Sequence, residues 1–208
     1  MHPTAPVTGT RKAPPRLTGP PRDATDVPRL GDRTLAAAAG LGDRAAFETI
    51  VLRYGPALYG YVRRMIRDQN AVDDVVQETF VAAWRQIDGY RGEATLKTWL
   101  FRICERKVSD SRRLRYAEPI DDRLLDPVDP AARADPSIVA MNTEFLTALE
   151  RALTELPVRQ RAVWILREID DLTFPQIGMT LAMSPGAARG HHHRARSTLQ
   201  HRMRRWQW

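Results

Sequence analysis

The chain has 208 residues, of which 43% are hydrophobic and 27% charged, which is typical neither of a membrane protein nor of a wholly disordered chain. Its net charge of +7 favours a polyanionic partner, either nucleic acid or an anionic membrane surface. The single cysteine, Cys104, excludes an internal disulfide and a cysteine-rich zinc site, which fits a reducing cytoplasm. No stretch approaches the roughly 20 apolar residues that span a bilayer, so we expect neither export nor membrane insertion.

Charge and proline content divide the chain into four segments. Residues 1–32 hold seven of the fifteen prolines and 5 basic against 3 acidic residues, which predicts a disordered basic arm. Residues 33–116 carry 15 basic and 10 acidic residues and form the first predicted domain. Residues 117–142 carry 6 acidic and 2 basic residues and four prolines, which predicts an extended acidic linker. Residues 143–208 return to 10 basic against 6 acidic residues and form the second domain.

The apolar residues of both domains recur at helical intervals of three and four residues. Between Leu35 and Ile66 this pattern predicts two successive amphipathic helices. Further apolar stripes run from Val72 to Ile87 and from Trp99 to Val108, and we find no strand pattern. The predicted fold class is all-α, with two small helical domains joined by the acidic linker.

One predicted helix carries an acidic patch opposite its apolar stripe, formed by Asp73, Asp74, Gln77 and Glu78. Repulsion between Asp74 and Glu78, four residues apart, costs a few tenths of a kcal/mol in an isolated helix. The patch therefore indicates a basic partner, and the alternative is a solvated helix face.

A basic run from Arg102 to Arg115 contains six basic and two acidic residues, and it follows a stretch that holds Tyr90 and Trp99. Bases of a single strand stack on aromatic rings beside cations, so the run is consistent with single-strand binding. Aromatic residues at helical spacing also serve as core, which is what we expect of Trp99.

The C-terminal part carries a strong local pattern. Thr173 and Gln176 have the spacing of a capping box, and Ser184 with Pro185 supplies the start of a second helix after a short turn. This is helix-turn-helix geometry. Because no acidic residue follows Arg189, the second helix favours duplex DNA binding, and the alternative is a basic helix that closes a bundle.

Two stretches resemble a known family. Residues 73–113 read DDVVQETFVAAWRQIDGYRGEATLKTWLFRICERKVSDSRR and look like the promoter-melting domain of extracytoplasmic-function (ECF) sigma factors of the sigma-70 family. Residues 156–196 read LPVRQRAVWILREIDDLTFPQIGMTLAMSPGAARGHHHRAR and resemble the family's domain that binds the minus-thirty-five element. The resemblance implies a sigma factor that binds core RNA polymerase and promoter DNA and is controlled by an anti-sigma factor. It implies no enzymatic activity, no cofactor and no small-molecule substrate.

The resemblance also implies roles for individual residues. The acidic patch would dock on a coiled coil of the largest polymerase subunit, the loop Gly92–Thr98 would capture a flipped base, and the linker would run toward the RNA exit channel. The implied minus-ten residues are Tyr90, Arg91, Gly92, Glu93, Thr95, Lys97, Thr98, Arg102, Arg106, Arg112 and Arg113. The implied minus-thirty-five residues are Ser184, Pro185, Ala187, Arg189, His191, His193, Arg194 and Arg196.

The predicted recognition helix departs from the family pattern. Thr, Lys or Arg, Ser and Leu commonly occupy the positions that here are Ala187, Arg189, Gly190 and His192, so base contacts cannot be copied across. The run His191–His193 does not predict a metal site, because consecutive helical side chains point about 100° apart and cannot close on one ion. Contact with phosphate or a purely helical role is favoured for these histidines.

Three other classes of function are compatible with part of the sequence. A simple helix-turn-helix regulator would bind duplex DNA without polymerase. A hydrolase using the histidines and carboxylates lacks a nucleophile motif, a phosphate-binding glycine loop and metal-ligand spacing. An adaptor using the acidic patch alone would not need Arg112 and Arg113.

Overall fold

The computed structural model describes residues 31–116 and 136–204, with side chains described for 31–113 and 144–204. The regular structure of these residues is helical throughout, which confirms the predicted all-α fold. The predicted arm, apart from Gly31 and Asp32, lies outside the described residues, as do positions 117–135 of the predicted linker. Among the helices described, none combines the length and apolar content that a bilayer span needs.

The first domain contains four α-helices. They are α1 (Asp32–Gly40), α2 (Arg44–Met65), α3 (Gln69–Gln86) and α4 (Leu96–Tyr116), with a 3-10 turn at Ile87–Gly89 between the last two. The carboxylates of Asp43 and Asp68 accept hydrogen bonds from backbone amides in the first turns of α2 and α3, which satisfies donors that a helix start leaves free.

The core of this domain is built around aromatic side chains. Phe47 on α2 packs edge-on against Trp84 on α3, with ring centroids 4.9 Å apart, and Tyr61 packs against Phe101 on α4 at 5.6 Å. Both arrangements are favoured by the ring quadrupoles. The packing leaves the opposite faces of α3 and α4 to solvent.

The described part of the second domain, up to residue 204, also contains four helices. They are α5 (Pro136–Glu155), α6 (Val158–Glu168), α7 (Phe174–Leu181) and α8 (Pro185–Arg202). The predicted helix-turn-helix is confirmed, since the Thr173 and Gln176 capping box opens α7 and the Ser184 hydroxyl accepts from the Ala187 amide to open α8. The helix α8 continues through Gly190 without a break.

One predicted boundary is wrong. Residues 136–142 belong to α5 and not to an extended linker. A proline ends a helix that precedes it but is well tolerated in the first turn, where its missing amide has no helical partner. Pro136 occupies that first position, so it starts a helix where we expected an interruption.

The two domains pack directly on each other. Helix α4 contacts α7, helix α2 contacts α5 and α6, and one continuous buried cluster includes Phe101 of the first domain and Leu172 of the second. Polar contacts flank this apolar seam. Arg63 on α2 forms a 2.7 Å ion pair with Glu150 on α5, and the Arg161 guanidinium on α6 donates to the Arg64 carbonyl at 3.5 Å.

Candidate polymerase and promoter interfaces

The acidic surface comprises the side chains of Asp73, Asp74, Gln77 and Glu78, all of which are exposed on α3. Their neighbours Val72 and Val75 are buried, so the predicted separation of polar and apolar faces is present. The Glu78 carboxylate forms a 2.9 Å ion pair with Lys107 on α4, while 62% of its side chain stays accessible. Because the contact is largely solvated, it stabilises the fold little and can exchange for another cation.

The segment between the 3-10 turn and α4 is held in place by contacts of Tyr90. The Tyr90 hydroxyl donates to the Ala94 carbonyl at 2.7 Å, and the Tyr90 ring lies against Trp99 with centroids 5.4 Å apart. Gly92 adopts a φ of +75°, a left-handed conformation that glycine reaches without strain. Arg91, Glu93 and Thr95 are exposed on this segment, whereas Gly92 is partly covered.

Two aromatic residues near this loop, Tyr90 and Trp99, are both partly buried. Burial raises the pKa of the Tyr90 hydroxyl, which is consistent with a neutral phenol in its hydrogen bond to Ala94. Trp99, which we expected in the core, is partly buried and packs on the edge of the core cluster. Trp99 therefore remains partly accessible beside the loop.

Thr98 is buried in the structure, whereas the resemblance implies that it contacts DNA. Thr98 is only 1% exposed, and its hydroxyl lies 2.8 Å from that of Thr95, which accepts from the Thr98 amide at the start of α4. In this arrangement the Thr98 side chain is not accessible to DNA, and the Thr95 hydroxyl caps the helix by accepting from the Thr98 amide. Its neighbour Lys97 is half-buried, and its ammonium donates to the Asp170 carbonyl of the second domain.

The basic face of α4 comprises Arg102, Arg106, Arg112 and Arg113. Three of these side chains are exposed and Arg112 is half-buried. Arg113 pairs with Asp110 one turn earlier, with both side chains more than half exposed. Glu105 lies on the same helix but is held inward by the Tyr61 hydroxyl, which donates to it, and burial raises the pKa of this carboxyl. The solvent-exposed face of α4 is therefore dominated by arginine.

The recognition helix α8 presents a second basic surface. The exposed members of the predicted set are Ser184, Pro185, Ala187, Arg189, His193, Arg194 and Arg196, while His191 is half-buried. The turn before the helix depends on Gly178, where a Cβ atom would lie 2.7 Å from the Met183 carbonyl. Gly178 was not among the residues predicted from the sequence, although a glycine inside a short predicted helix is a usable indication of close backbone approach.

The His192 side chain packs between α8 and its neighbouring helices. Its Nε2 lies 2.6 Å from a Glu168 oxygen on α6, its side chain is 15% exposed, and its ring packs edge-on against Phe174. The guanidinium groups of Arg167 and Arg189 also lie over the Phe174 ring, at 5.1 and 5.5 Å from its centroid. These contacts link α6, α7 and α8. Within residues 31–113 and 144–204, no three metal-binding side chains converge.

A cleft of about 1070 Å³ lies between α4 and the helix-turn-helix. Its first wall includes Arg102, Arg106 and Arg112, and its second includes Arg159 and Ser184. Members of both predicted DNA surfaces therefore face one shared space. Such a concentration of arginine attracts a polyanion, because low-dielectric walls focus the field in a cleft.

Two family profiles match the chain. The profile described as Sigma-70 region 2 matches residues 50–117, and the one described as Sigma-70, region 4 matches residues 146–199. RNA polymerase sigma factor CnrH of Cupriavidus metallidurans is 35% identical over 83% of this chain and 94% of its own length. RNA polymerase sigma factor NccH of Alcaligenes xylosoxydans is 33% identical over 81% of this chain and 92% of its own. ECF RNA polymerase sigma-E factor of Escherichia coli is 27% identical over 84% and 95%.

Solved structures agree with these matches. CnrH in complex with the cytosolic domain of CnrY is 32% identical, with a TM-score of 0.60 over 81% of this chain and 94% of that one. The sigma factor RpoE of Bartonella quintana, in complex with the anti-sigma factor NepR, has a TM-score of 0.63 over 76% of this chain and 96% of that one, and at 22% identity it supports the fold. The chain therefore belongs to the extracytoplasmic-function group of the sigma-70 family, whose members direct promoter-specific transcription initiation by RNA polymerase.

Proposed function

We propose that this sigma factor binds its partners through three separate surfaces. The acidic surface on α3 binds core RNA polymerase, the loop Gly92–Thr98 with the basic face of α4 binds and opens the minus-ten element, and α8 binds the minus-thirty-five element. The observation that carries the proposal is the sorting of charge, because exposed carboxylates are concentrated on α3 while exposed arginines are concentrated on α4 and α8.

The charges suit the proposed partners. An acidic helix face attracts a basic protein surface and steers its approach, whereas arginine contacts phosphate oxygens and guanine edges. The carboxylates of Asp73 and Asp74 are exposed, so a polymerase surface can reach them without rearrangement of α3. The proposed mechanism consists of binding and base capture, with no bond made or broken by the protein.

For the minus-ten element we propose that Trp99 and Tyr90 provide the stacking surface. Their rings lie 5.4 Å apart beside the loop, and Arg102 is exposed one turn further along α4. Unstacking a base costs a few kcal/mol, which stacking on an aromatic ring and nearby cations can offset. We exclude Thr98 from the contacting residues because it is buried.

We further propose control by an anti-sigma factor, acting in the cytoplasm where core polymerase works. The support is that the similar sigma factor RpoE was solved in complex with the anti-sigma factor NepR, and that CnrH was solved in complex with the cytosolic domain of CnrY. An inhibitor of this kind is expected to compete with polymerase or DNA for one of the three surfaces.

The proposed polymerase contact is tested with a charge-reversed variant, Asp74→Lys plus Glu78→Lys. We expect it to lose co-purification with core polymerase while the helical circular dichroism is unchanged. The matched control is Glu48→Lys plus Glu144→Lys, which makes the same charge change at exposed sites on α2 and α5. Equal retention of polymerase by both variants would refute the assignment of the acidic surface.

A further inference from the structure

The first turn of α1 lies against the loop that we propose captures a base. A Cβ atom at Gly92 would lie 3.2 Å from Arg33 Nη2 and 3.4 Å from Arg33 Nε, so the guanidinium is in contact with the loop backbone. Glycine permits this approach because it has no side chain and reaches a φ of +75° without strain. Arg33 is nevertheless exposed, so a ligand in solvent can reach this side chain and its several N–H donors.

Contacts at both ends of α1 hold the helix in this position. At its start, the Asp32 carboxylate forms a 2.6 Å ion pair with Arg53 on α2 and accepts a 2.5 Å hydrogen bond from the Tyr54 hydroxyl. At its end, Gly40 packs against the 3-10 turn, where a Cβ atom would lie 3.4 Å from the Asp88 Cα atom. The backbone of the residue that follows Asp32 is therefore fixed relative to the loop.

The charges around the loop make Arg33 important for attracting an anion. The segment between the 3-10 turn and α4 carries one exposed cation, Arg91, and one exposed carboxylate, Glu93, whose charges balance. The Asp32 carboxylate beside Arg33 is already paired with Arg53 on α2. Arg33 therefore gives this part of the surface a net positive charge, which favours a phosphate there.

Arg33 also lies close to the proposed stacking surface of Tyr90 and Trp99. The pKa of the Tyr90 hydroxyl is raised chiefly by burial and further by Asp32, whereas the positive charge of Arg33 lowers it, so Arg33 is near enough to act on this group. A base stacked on these two rings has a backbone phosphate on either side. Arginine suits such a phosphate because its planar guanidinium can donate two parallel hydrogen bonds to the phosphate oxygens.

We propose that the first turn of α1 extends the minus-ten surface, with Arg33 binding a backbone phosphate next to the captured base. This inference rests on the function proposed for the loop Gly92–Thr98. It adds a residue that lies outside positions 50–117, the span matched by the Sigma-70 region 2 profile. Because a phosphate contact carries no base identity, Arg33 strengthens and positions the bound strand without selecting the base.

The test measures binding of a single-stranded minus-ten oligonucleotide to core polymerase that carries the full-length protein, over a range of salt concentrations. We expect Arg33→Ala to lower the slope of log affinity against log salt by about 0.7, the effect of one lost phosphate contact on a single strand. Arg33→Lys should restore the slope because lysine keeps the charge. The matched control is Arg151→Ala, which removes the same charge at an exposed site on α5 and should behave as the parent.

A second arm separates a phosphate contact from simple support of the loop. An uncharged methylphosphonate replaces each phosphate of the oligonucleotide in turn, and binding is compared between the parent protein and Arg33→Ala. We expect one replacement beside the captured base to weaken binding to the parent and to leave binding to Arg33→Ala unchanged, because the two changes remove the same contact. If Arg33 only supported the loop, every replacement would act equally on the parent and the variant.

A parent-like salt slope in Arg33→Ala, or the absence of any phosphate position coupled to Arg33, would overturn the inference. Arg102→Ala, measured in the same assay, shows which proposal has failed. If Arg102→Ala lowers the slope and Arg33→Ala does not, only Arg33 is removed and the proposed minus-ten surface stands. If both variants keep the parent slope, the proposed surface is wrong and the role of Arg33 fails with it.

Discussion

His192 Nε2 lies 2.6 Å from a Glu168 carboxylate oxygen, so a polar contact holds the recognition helix against α6 at a position where the family commonly has leucine. We expect His192→Ala to lower the free energy of unfolding by about 1–3 kcal/mol, because it removes both this contact and the packing on Phe174. His192→Leu should recover most of this loss by apolar packing. Urea denaturation measures both variants, and an alanine variant as stable as the parent would contradict the structural role.

The end of α7 stores backbone strain at Ala182. This residue has a φ of +51°, a left-handed conformation that disfavours a Cβ atom by about 1 kcal/mol. We expect Ala182→Gly to raise the free energy of unfolding by roughly 0.5–1 kcal/mol. Ala187→Gly is the control, because Ala187 lies within α8 and glycine there should destabilise by about 1 kcal/mol. If both substitutions shift the urea midpoint in the same direction, the left-handed backbone at Ala182 is not strained as we infer.

Gly178 and Gly186 provide a matched pair on either side of the helix-turn-helix turn. A methyl group at Gly178 would meet the Met183 carbonyl at 2.7 Å, whereas at Gly186 the nearest atom is the Ser184 hydroxyl at 3.9 Å. We therefore expect Gly178→Ala to cost about 1–3 kcal/mol and to weaken minus-thirty-five duplex binding by polymerase that carries the protein. Gly186→Ala should be neutral or stabilising, and equal effects of the two would show that the turn tolerates displacement.

The basic face of α4 makes a prediction about salt dependence. Each arginine that contacts a single-strand phosphate contributes about 0.7 to the slope of log affinity against log salt. We expect Arg102→Ala and Arg106→Ala each to reduce that slope by about 0.7 for a minus-ten oligonucleotide bound by the polymerase complex. Arg44→Ala is the control, because Arg44 is exposed at the start of α2 outside the cleft. Slopes that match the parent for the α4 variants would remove these residues from the proposed interface.

The parts of the fold that depend on local chemistry could be predicted from the sequence. Thr173, Gln176, Ser184 and Pro185 act on backbone groups within three residues, so their spacing predicts both helix starts. The start of α5 was missed because a proline can end one helix or begin the next, and only the following packing decides which. The burial of Thr98, a residue that the resemblance implied for the minus-ten element, was missed for a related reason, since it depends on how α4 packs in the domain.

The relationships between the domains could not be predicted from the sequence. Lys97 and Asp170 are 73 positions apart, and no local pattern links a lysine in one domain to a backbone carbonyl in the other. Glu168 and His192 are 24 positions apart and meet only because α6 and α8 pack together. In both cases the residue was visible in the sequence, but its partner was fixed by the tertiary structure.

We propose that this chain directs core RNA polymerase to promoters through the acidic surface. Run-off transcription from a diverse promoter library, with purified core polymerase, tests it most directly. We predict promoter-specific transcripts that require this protein, that disappear with Asp74→Lys plus Glu78→Lys, and that persist with Glu48→Lys plus Glu144→Lys. If no promoter responds while the protein alone shifts duplex DNA, the chain acts as a stand-alone DNA-binding regulator and does not direct polymerase.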